Sequence, residues 1–280
     1  MRETFGPYGI IRPLDEHGTE VHLAVDSRSR TKVALKRMPS SRFGWFGVKS
    51  FLRACEAAQS VRHANLVAPC DVGKQGSTIY VAFPYVAGVT VADMLRETPR
   101  AMGIDLAVHI AHEVSRGLAH LEQDKAAAGR PEVTDRRVMV GAAGHVLLLG
   151  AGVPRIPDAA GSSAVARYLA PEEDAGRKGD MRAAIFALGI LLYEMLTQES
   201  IDAAQKARLR GVDTVRIEVP TGVSQTTMRA MKVRPEARQD TAAELEAELG
   251  ESLAELNPQY GPEEVRRWVV RHYPDLKASP

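Results

Sequence analysis

Two short apolar runs joined by a turn, between Val138 and Leu149, constrain the fold of this chain more than any other feature. The run VMVGAAGHVLLL has strand-forming residues on either side of a glycine-bearing turn, which predicts a strand, a turn and a second strand. Charged residues precede the run at Glu132 and Arg137, and Gly150 follows it. The stretch from Gly129 to Gly152 is therefore the reference against which the other motifs of the sequence are placed.

Composition limits the classes of protein that fit. A chain of 280 residues with 45% apolar residues buries enough surface for one large or two small lobes. Its formal charge of +1 provides no overall attraction to nucleic acid, so we expect no nucleic-acid partner. Cys55 and Cys70 lack metal-ligand spacing and are expected to be reduced thiols.

No segment resembles a targeting signal or a membrane span. The N-terminus has no apolar signal core, and the longest apolar run, Ala183 to Leu192, is too short to cross a bilayer. We therefore expect a cytoplasmic protein without membrane insertion by this chain. A longer parent protein that carries an anchor stays an open alternative.

The first hundred residues predict strands with one helix. Tyr8 to Leu14, Glu20 to Val25 and Lys32 to Arg37 read as strands, and a helix is expected from about Val48 to Val61. After Thr90 the pattern becomes helical, with a long helix indicated by apolar residues at intervals of three and four: Leu106, Ile110, Val114, Leu118 and Leu121. The chain is thus predicted to have a strand-rich part and a larger helical part.

Three histidines lie on that long helix between its apolar positions. We interpret His109, His112 and His120 as surface or hydrogen-bonded side chains rather than metal ligands. The sequence therefore predicts no metal site here.

Four further motifs, together with the frame around the hairpin, resemble a protein kinase, and their small insertions fit the Ser/Thr branch found in bacteria. The motifs are VALK, YLAPEE, the apolar helix DMRAAIFALGILLYEMLT and the arginine context KVRPEARQDTAAEL. The resemblance covers about Tyr8 to Leu249. It implies an α+β fold with two lobes, one a small antiparallel sheet with one helix and the other mainly helical. The implied divisions are a small lobe with hinge at 1–86, a large lobe at 87–252 and a C-terminal helical extension at 253–280.

The positions that carry catalytic residues in this family carry other residues here. In such kinases one loop supplies the base and a metal ligand, and a second loop supplies another metal ligand. The resemblance implies five degenerate positions and therefore no catalytic residue and no metal. These are Ala54 at the glutamate that holds the lysine, Glu132 at the base, Arg137 and Gly150 at the metal ligands, and Ala184 at the brace of the catalytic loop.

Other conserved family features are also replaced. Asp15 and His17 take the first two positions of the glycine-rich phosphate loop. Arg130 and Pro131 replace the His-Arg pair that packs the catalytic loop, and Ala151 replaces an internal phenylalanine. These changes favour a permanently inactive protein over a resting kinase.

The resemblance assigns a vestigial nucleotide site to Lys36, Pro84, Val86 and Met139. Phe83 falls at the gatekeeper, while Pro84 still offers a carbonyl to an adenine ring. Glu56 lies two residues beyond Ala54 and therefore points to another side of the helix, away from Lys36. We expect no cofactor, with ATP binding in the absence of Mg²⁺ as the alternative.

Two interpretations of Arg137 are open. Its guanidinium either contacts a phosphate directly or pairs with Glu132 and plugs the site, and we favour the plug.

Outside the catalytic posts, Glu172 and Arg238 are implied to form a buried structural pair. Ser162 and Ser163 are read as small loop residues, with phosphorylation as the alternative. The helix PEEVRRWVVRHYP is expected to dock on the large lobe, and a helix offered to a partner is the alternative.

The sequence therefore predicts a pseudokinase that acts as a protein-binding scaffold or allosteric regulator without phosphoryl transfer. The expected partner is a protein, either an active kinase or a second copy of this chain. The alternative is a nucleotide-binding switch or an atypical transferase that uses Lys36 and Arg137.

Overall fold

A six-stranded antiparallel sheet forms the N-terminal part of the protein. The computed structural model describes residues 3–14, 21–98, 102–124, 131–155, 163–201, 206 and 208–278. The sheet has the order β1-β2-β3-β4-β7-β6. Its strands are β1 (Thr4–Phe5), β2 (Tyr8–Pro13), β3 (Val21–Asp26), β4 (Lys32–Pro39), β6 (Asp71–Gln75) and β7 (Thr78–Pro84), and β5 (Leu66–Val67) lies between β4 and β6 in the chain but outside this sheet.

One helix, α1 (Gly44–Ala58), covers a face of this sheet. Phe51 and Cys55 of α1 pack with buried residues of β4 and β7, while Tyr8 and Leu35 belong to a separate cluster. The helix begins four residues before the predicted start and ends three before the predicted end. It stops early because Val61 leaves the helix and is buried in the core of the large lobe.

A second, four-stranded sheet has the order β5-β10-β9-β8 and contains the predicted hairpin. In the hairpin, β9 (Val138–Gly141) and β10 (Val146–Leu149) pair antiparallel, with Met139 opposite Leu147. β8 (Gly88–Thr90) pairs with β9, and β5 pairs in parallel with β10. Leu66 and Val67, which precede the predicted hinge in the sequence, thus belong to the same sheet as strands of the large lobe.

Nine α-helices are described in the remaining part of the chain, and most surround one large apolar core. The core is built on α3 and α6, and every residue of α6 from Ala183 to Leu196 is buried. The helices are α2 (Val91–Glu97), α3 (Ile104–Gln123), α4 (Ser163–Ala166), α5 (Pro171–Asp174), α6 (Met181–Thr197), α7 (Val212–Val215), α8 (Thr221–Ala230), α9 (Ala242–Leu256) and α10 (Pro262–His272). The predicted division into a small sheet lobe and a larger helical lobe is present.

The C-terminal extension docks on the large lobe. Val265 and Val269 of α10 are fully buried in its core, and Trp268 packs against it. The division predicted between 252 and 253 falls inside α9, because the apolar stripe of that helix continues through Leu253. The extension therefore begins after Leu256. Of the two interpretations of its helix, the docked one is observed.

His109 departs from the interpretation of the helix α3 histidines. Its side chain is buried, its ring lies 5.6 Å from the ring of Tyr260, and its Nδ1 atom has no hydrogen-bond partner. Sequence spacing did not indicate this because Tyr260 reaches the helix from 151 residues away. Burial lowers the pKa of His109, with Glu113 opposing and His112 reinforcing the shift.

We predict that stability falls with acidification through His109. Above its ordinary pKa near 6.5 the imidazole is neutral in both folded and unfolded chains. Below about pH 6.5 the unfolded chain binds the proton first, so the free energy of unfolding decreases until the lowered folded pKa is reached. Urea midpoints at pH 7.5 and 5.5 measure this loss. His109→Gln should reduce the difference, whereas the same change at exposed His145 should leave it unaltered.

Among the described residues, no helix combines the length and the apolar character needed to span a bilayer.

Candidate functional site

Glu132 and Arg137 form an ion pair at the start of the hairpin. The Arg137 Nη2 atom lies 2.6 Å from the Glu132 Oε2 atom, and the two side chains are 20% and 12% exposed. A turn brings them together, since the backbone N–H groups of Arg137 and Val138 both donate to the Thr134 carbonyl, at 3.0 and 3.1 Å. The residues at the implied base and first metal-ligand posts therefore neutralise each other.

Gly150 lies next to the guanidinium of this ion pair. A Cβ atom at Gly150 would lie 2.3 Å from the Arg137 Nη1 atom, so the guanidinium occupies the space that a side chain would fill. A backbone hydrogen bond fixes Arg137, which precedes the first strand of the hairpin, to the end of the second strand. The Arg137 carbonyl accepts from the Leu149 N–H at 2.8 Å. Gly150 also has a φ of +77°, a conformation that favours glycine. The three residues that the resemblance assigns to the catalytic base and the metal ligands thus lie together, and Arg137 pairs with Glu132.

Lys36 lies on the side of β4 that faces α1. Side chains alternate along a strand, and Met38, two residues on, packs in the cluster beneath α1. On that helix Ala54 is half-buried and Glu56 is exposed. The position that the resemblance gives to a glutamate has no carboxylate.

The four residues of the vestigial nucleotide site lie on separate elements. Pro84 ends β7 opposite Val33, and Lys36 lies on the neighbouring strand β4. Met139 lies between Val138 and Val140, both of which are core residues, so it points away from that core. Val86 is half-buried in the connection to β8. Their common site stays a prediction.

Several predicted positions lie outside the described residues. These are Asp15 and His17 of the implied phosphate loop, Glu20 at the start of the second predicted strand, Arg130 before the hairpin, and Ser162. Ser163 begins α4. Ala151 and Ala184 are buried in the core of the large lobe.

No group of three or more His, Cys, Asp or Glu residues in the described part of the chain is arranged to hold a metal ion. The Glu132 carboxylate, which lies beside these positions, is paired with the guanidinium of Arg137.

A second charged cluster near the catalytic loop was missed by sequence reasoning. Arg167 lies 2.6 Å from Asp135 and 3.1 Å from Glu194, and the Tyr168 hydroxyl donates to Glu194 at 2.5 Å. Burial raises the pKa of both the Asp135 and the Glu194 carboxyls, while Arg167 lowers them. One signal was available, because Glu194 is a lone acid in an otherwise apolar run and such residues are rarely buried without a partner.

The structural pair implied by the resemblance is present. Both Nη atoms of Arg238 lie 2.8 Å from the two carboxylate oxygens of Glu172, and the Arg238 side chain is fully buried. Although burial raises the pKa of the Glu172 carboxyl, the hydrogen bonds from Arg238 leave it below its ordinary value. This pair joins α5 to the connection before α9.

Comparison with known families decides the identity of this architecture. The model of a family described as protein tyrosine and serine/threonine kinase matches residues 16–243. The chain belongs to the protein kinase family. The kinase resemblance seen in the motifs is therefore confirmed at the level of the family.

Two curated relatives of this kinase-family chain come from bacteria. The serine/threonine-protein kinase PknB of Mycobacterium leprae is 29% identical over 255 residues, which cover 82% of this chain and 40% of that protein. The tyrosine-protein kinase MasK of Myxococcus xanthus is 25% identical over 272 residues, covering 86% of this chain and 42% of that protein. The chain therefore spans about two fifths of the length of these relatives.

Solved structures confirm the fold. The crystal structure of the Mycobacterium tuberculosis PknI kinase domain aligns with a TM-score of 0.73 at 21% identity, covering 89% of this chain and 98% of that domain. The predicted kinase-like arrangement of two lobes is thus correct.

Proposed function

We propose that this kinase-family chain does not transfer phosphoryl groups and acts as a protein-binding scaffold or allosteric regulator in signalling. The observation that carries the proposal is the ion pair of Glu132 and Arg137 over Gly150. Glu132 lies at the implied base position, and Arg137 and Gly150 lie at the two implied metal-ligand positions. The ion pair makes this cluster neutral. The proposed partner is a protein, either an active kinase or a second copy of this chain, in the cytoplasm.

The physical reason lies in how phosphoryl transfer is catalysed. Positioning and the neutralisation of phosphate charge by Mg²⁺ supply most of the rate, and one well-placed cation is worth roughly 10³ to 10⁵ in related enzymes. A glycine and an arginine provide no oxygen ligand for Mg²⁺. The absence of both metal ligands therefore removes the largest contribution to the rate of phosphoryl transfer.

An alternative proposal is a nucleotide-binding switch or atypical transferase that uses Lys36 and Arg137. Its support is the retained Lys36 on the α1-facing side of β4. In this alternative ATP binds without Mg²⁺, and Arg137 leaves Glu132 to contact a phosphate.

A thermal-shift and label-transfer experiment separates these proposals. We expect the melting temperature of the purified chain to be unchanged by ATP, with Mg²⁺ or with EDTA, because no metal-bound triphosphate is held. Incubation with γ-labelled ATP should transfer no label to the chain or to a general substrate. Gly150→Asp alone should not introduce Mg²⁺ dependence, because its carboxylate would lie beside Arg137 and pair with it.

Three results would change the assignment. A melting temperature raised by ATP in EDTA without label transfer supports the switch. Transferred label that Lys36→Ala abolishes supports the transferase. Stabilisation that requires Mg²⁺ in the unmodified chain contradicts the neutral-cluster argument itself.

A further inference from the structure

The segment from Ser163 to Asp174 contains two helices, α4 and α5, that are too short to be stable by themselves. Each has four residues, whereas isolated helices shorter than about 12 residues are marginal in water. Tertiary contacts must therefore hold this segment in place. Tyr168 and Ala170 are buried in the apolar core, and charged side chains supply further contacts.

Arg167 holds the middle of the segment from the interior side. Its guanidinium lies between Asp135 of the catalytic loop, at 2.6 Å, and Glu194 of α6, at 3.1 Å. The three side chains are 18%, 11% and 2% exposed, so the charges interact with little screening by solvent. The guanidinium also lies 4.8 Å from the centre of the Tyr168 ring.

Lys206 makes a second set of contacts with the same segment. Its ammonium donates to the carbonyls of Ala166, at 2.7 Å, and Leu169, at 2.8 Å, and pairs with Asp174 at 3.1 Å. Its side chain is only 6% exposed. These carbonyls lie at and after the C-terminal end of α4, where a cation is favoured.

We propose that Arg167 and Lys206 form a permanent charge clamp that fixes residues 163–174 without phosphorylation. The clamp consists of the Arg167 guanidinium and the Lys206 ammonium, and two of the acids they contact, Asp135 and Glu194, lie outside the segment in the large lobe. None of these contacts requires a phosphate, because the chain itself supplies every charge in them. The segment therefore keeps one conformation whether or not a kinase acts on it. This inference goes beyond the proposed function and does not depend on nucleotide binding.

Hydrogen exchange measured by mass spectrometry on the full chain tests the clamp. In protein shown by intact mass to be unphosphorylated, the peptide spanning 163–176 should be protected. Arg167→Ala should speed its exchange by at least about tenfold, because it removes the cation between two buried acids. Lys206→Ala should act in the same direction, whereas Lys178→Ala, a change at an exposed lysine beside the segment, should not.

Peptides from α3 and α6 in the same samples show whether a variant has unfolded as a whole. If Arg167→Ala unfolds the chain, Arg167→Lys supplies the second variant, since it keeps the charge and loses the two-sided geometry. Two outcomes overturn the clamp. One is unchanged protection of 163–176 in the Arg167 variants, and the other is protection that appears in the wild type only after co-expression with an active kinase.

Discussion

Arg238→Ala is expected to lower the free energy of unfolding by about 3–5 kcal/mol, because it leaves the buried carboxylate of Glu172 without its partner. The loss extends beyond the ion pair. The same guanidinium donates to the carbonyls of Lys232 at 2.8 Å, Arg182 at 2.9 Å and Val233 at 3.1 Å, and all three bonds disappear together. Urea denaturation followed by circular dichroism measures the change.

Arg234→Ala is the matched control for this prediction. Arg234 lies four residues away, is 79% exposed and has a 4.0 Å contact with exposed Glu236, so its removal should be nearly neutral. An Arg238 variant as stable as the Arg234 variant would mean that this buried pair does not hold the large lobe together.

Gly144→Ala is expected to destabilise the protein by about 2–5 kcal/mol and to loosen the C-terminal extension. A Cβ atom at this position would lie 1.9 Å from the Pro262 carbonyl oxygen, which is backbone at the first residue of α10. The turn of the hairpin or the helix must therefore shift, which adds an overpacking cost to the strain of a φ of +88°. Denaturation gives the energy, and limited proteolysis between 257 and 261 reports loosening of the extension.

The control for Gly144 is Gly176→Ala. Gly176 has a similar φ of +78°, and nothing lies within 4 Å of the Cβ position. This variant carries the backbone strain without the contact, so it should lose only about 1–2 kcal/mol. Equal losses in the two variants, or an extension that resists protease in both, would show that Pro262 yields without cost.

Much of the fold was predictable because it depends on local patterns. The hairpin follows from VMVGAAGHVLLL and α6 from an unbroken apolar run, and the order of the motifs fixed the family and hence the arrangement of the lobes. The spacing between Glu132, Arg137 and Gly150 indicated that three functional posts had changed. It did not show that the guanidinium would lie over the glycine, and this depends on a φ of +77° and on the turn at Thr134.

Contacts between distant residues that no motif links were the part that sequence reasoning could not supply. Arg167 meets Asp135 and Glu194 from 32 and 27 positions away, and none of the three lies in a motif that marks such a cluster. His109 and Tyr260 are 151 residues apart, so neither the burial of the imidazole nor the lowering of its pKa follows from helical periodicity. Such pairs are set by how helices pack, which a single sequence does not encode in any local pattern.

The parallel pairing of β5 with β10 gives the two lobes a mechanical link. The Asn65 carbonyl accepts from Leu148, and the Val67 carbonyl accepts from both Gly150 and Ala151, at 2.8 to 3.1 Å. A displacement of the segment between α1 and β5 would act on the hairpin through these hydrogen bonds. A protein that tilts the small lobe would therefore pull on the backbone of Gly150, and through it on the guanidinium above, without entering the cleft.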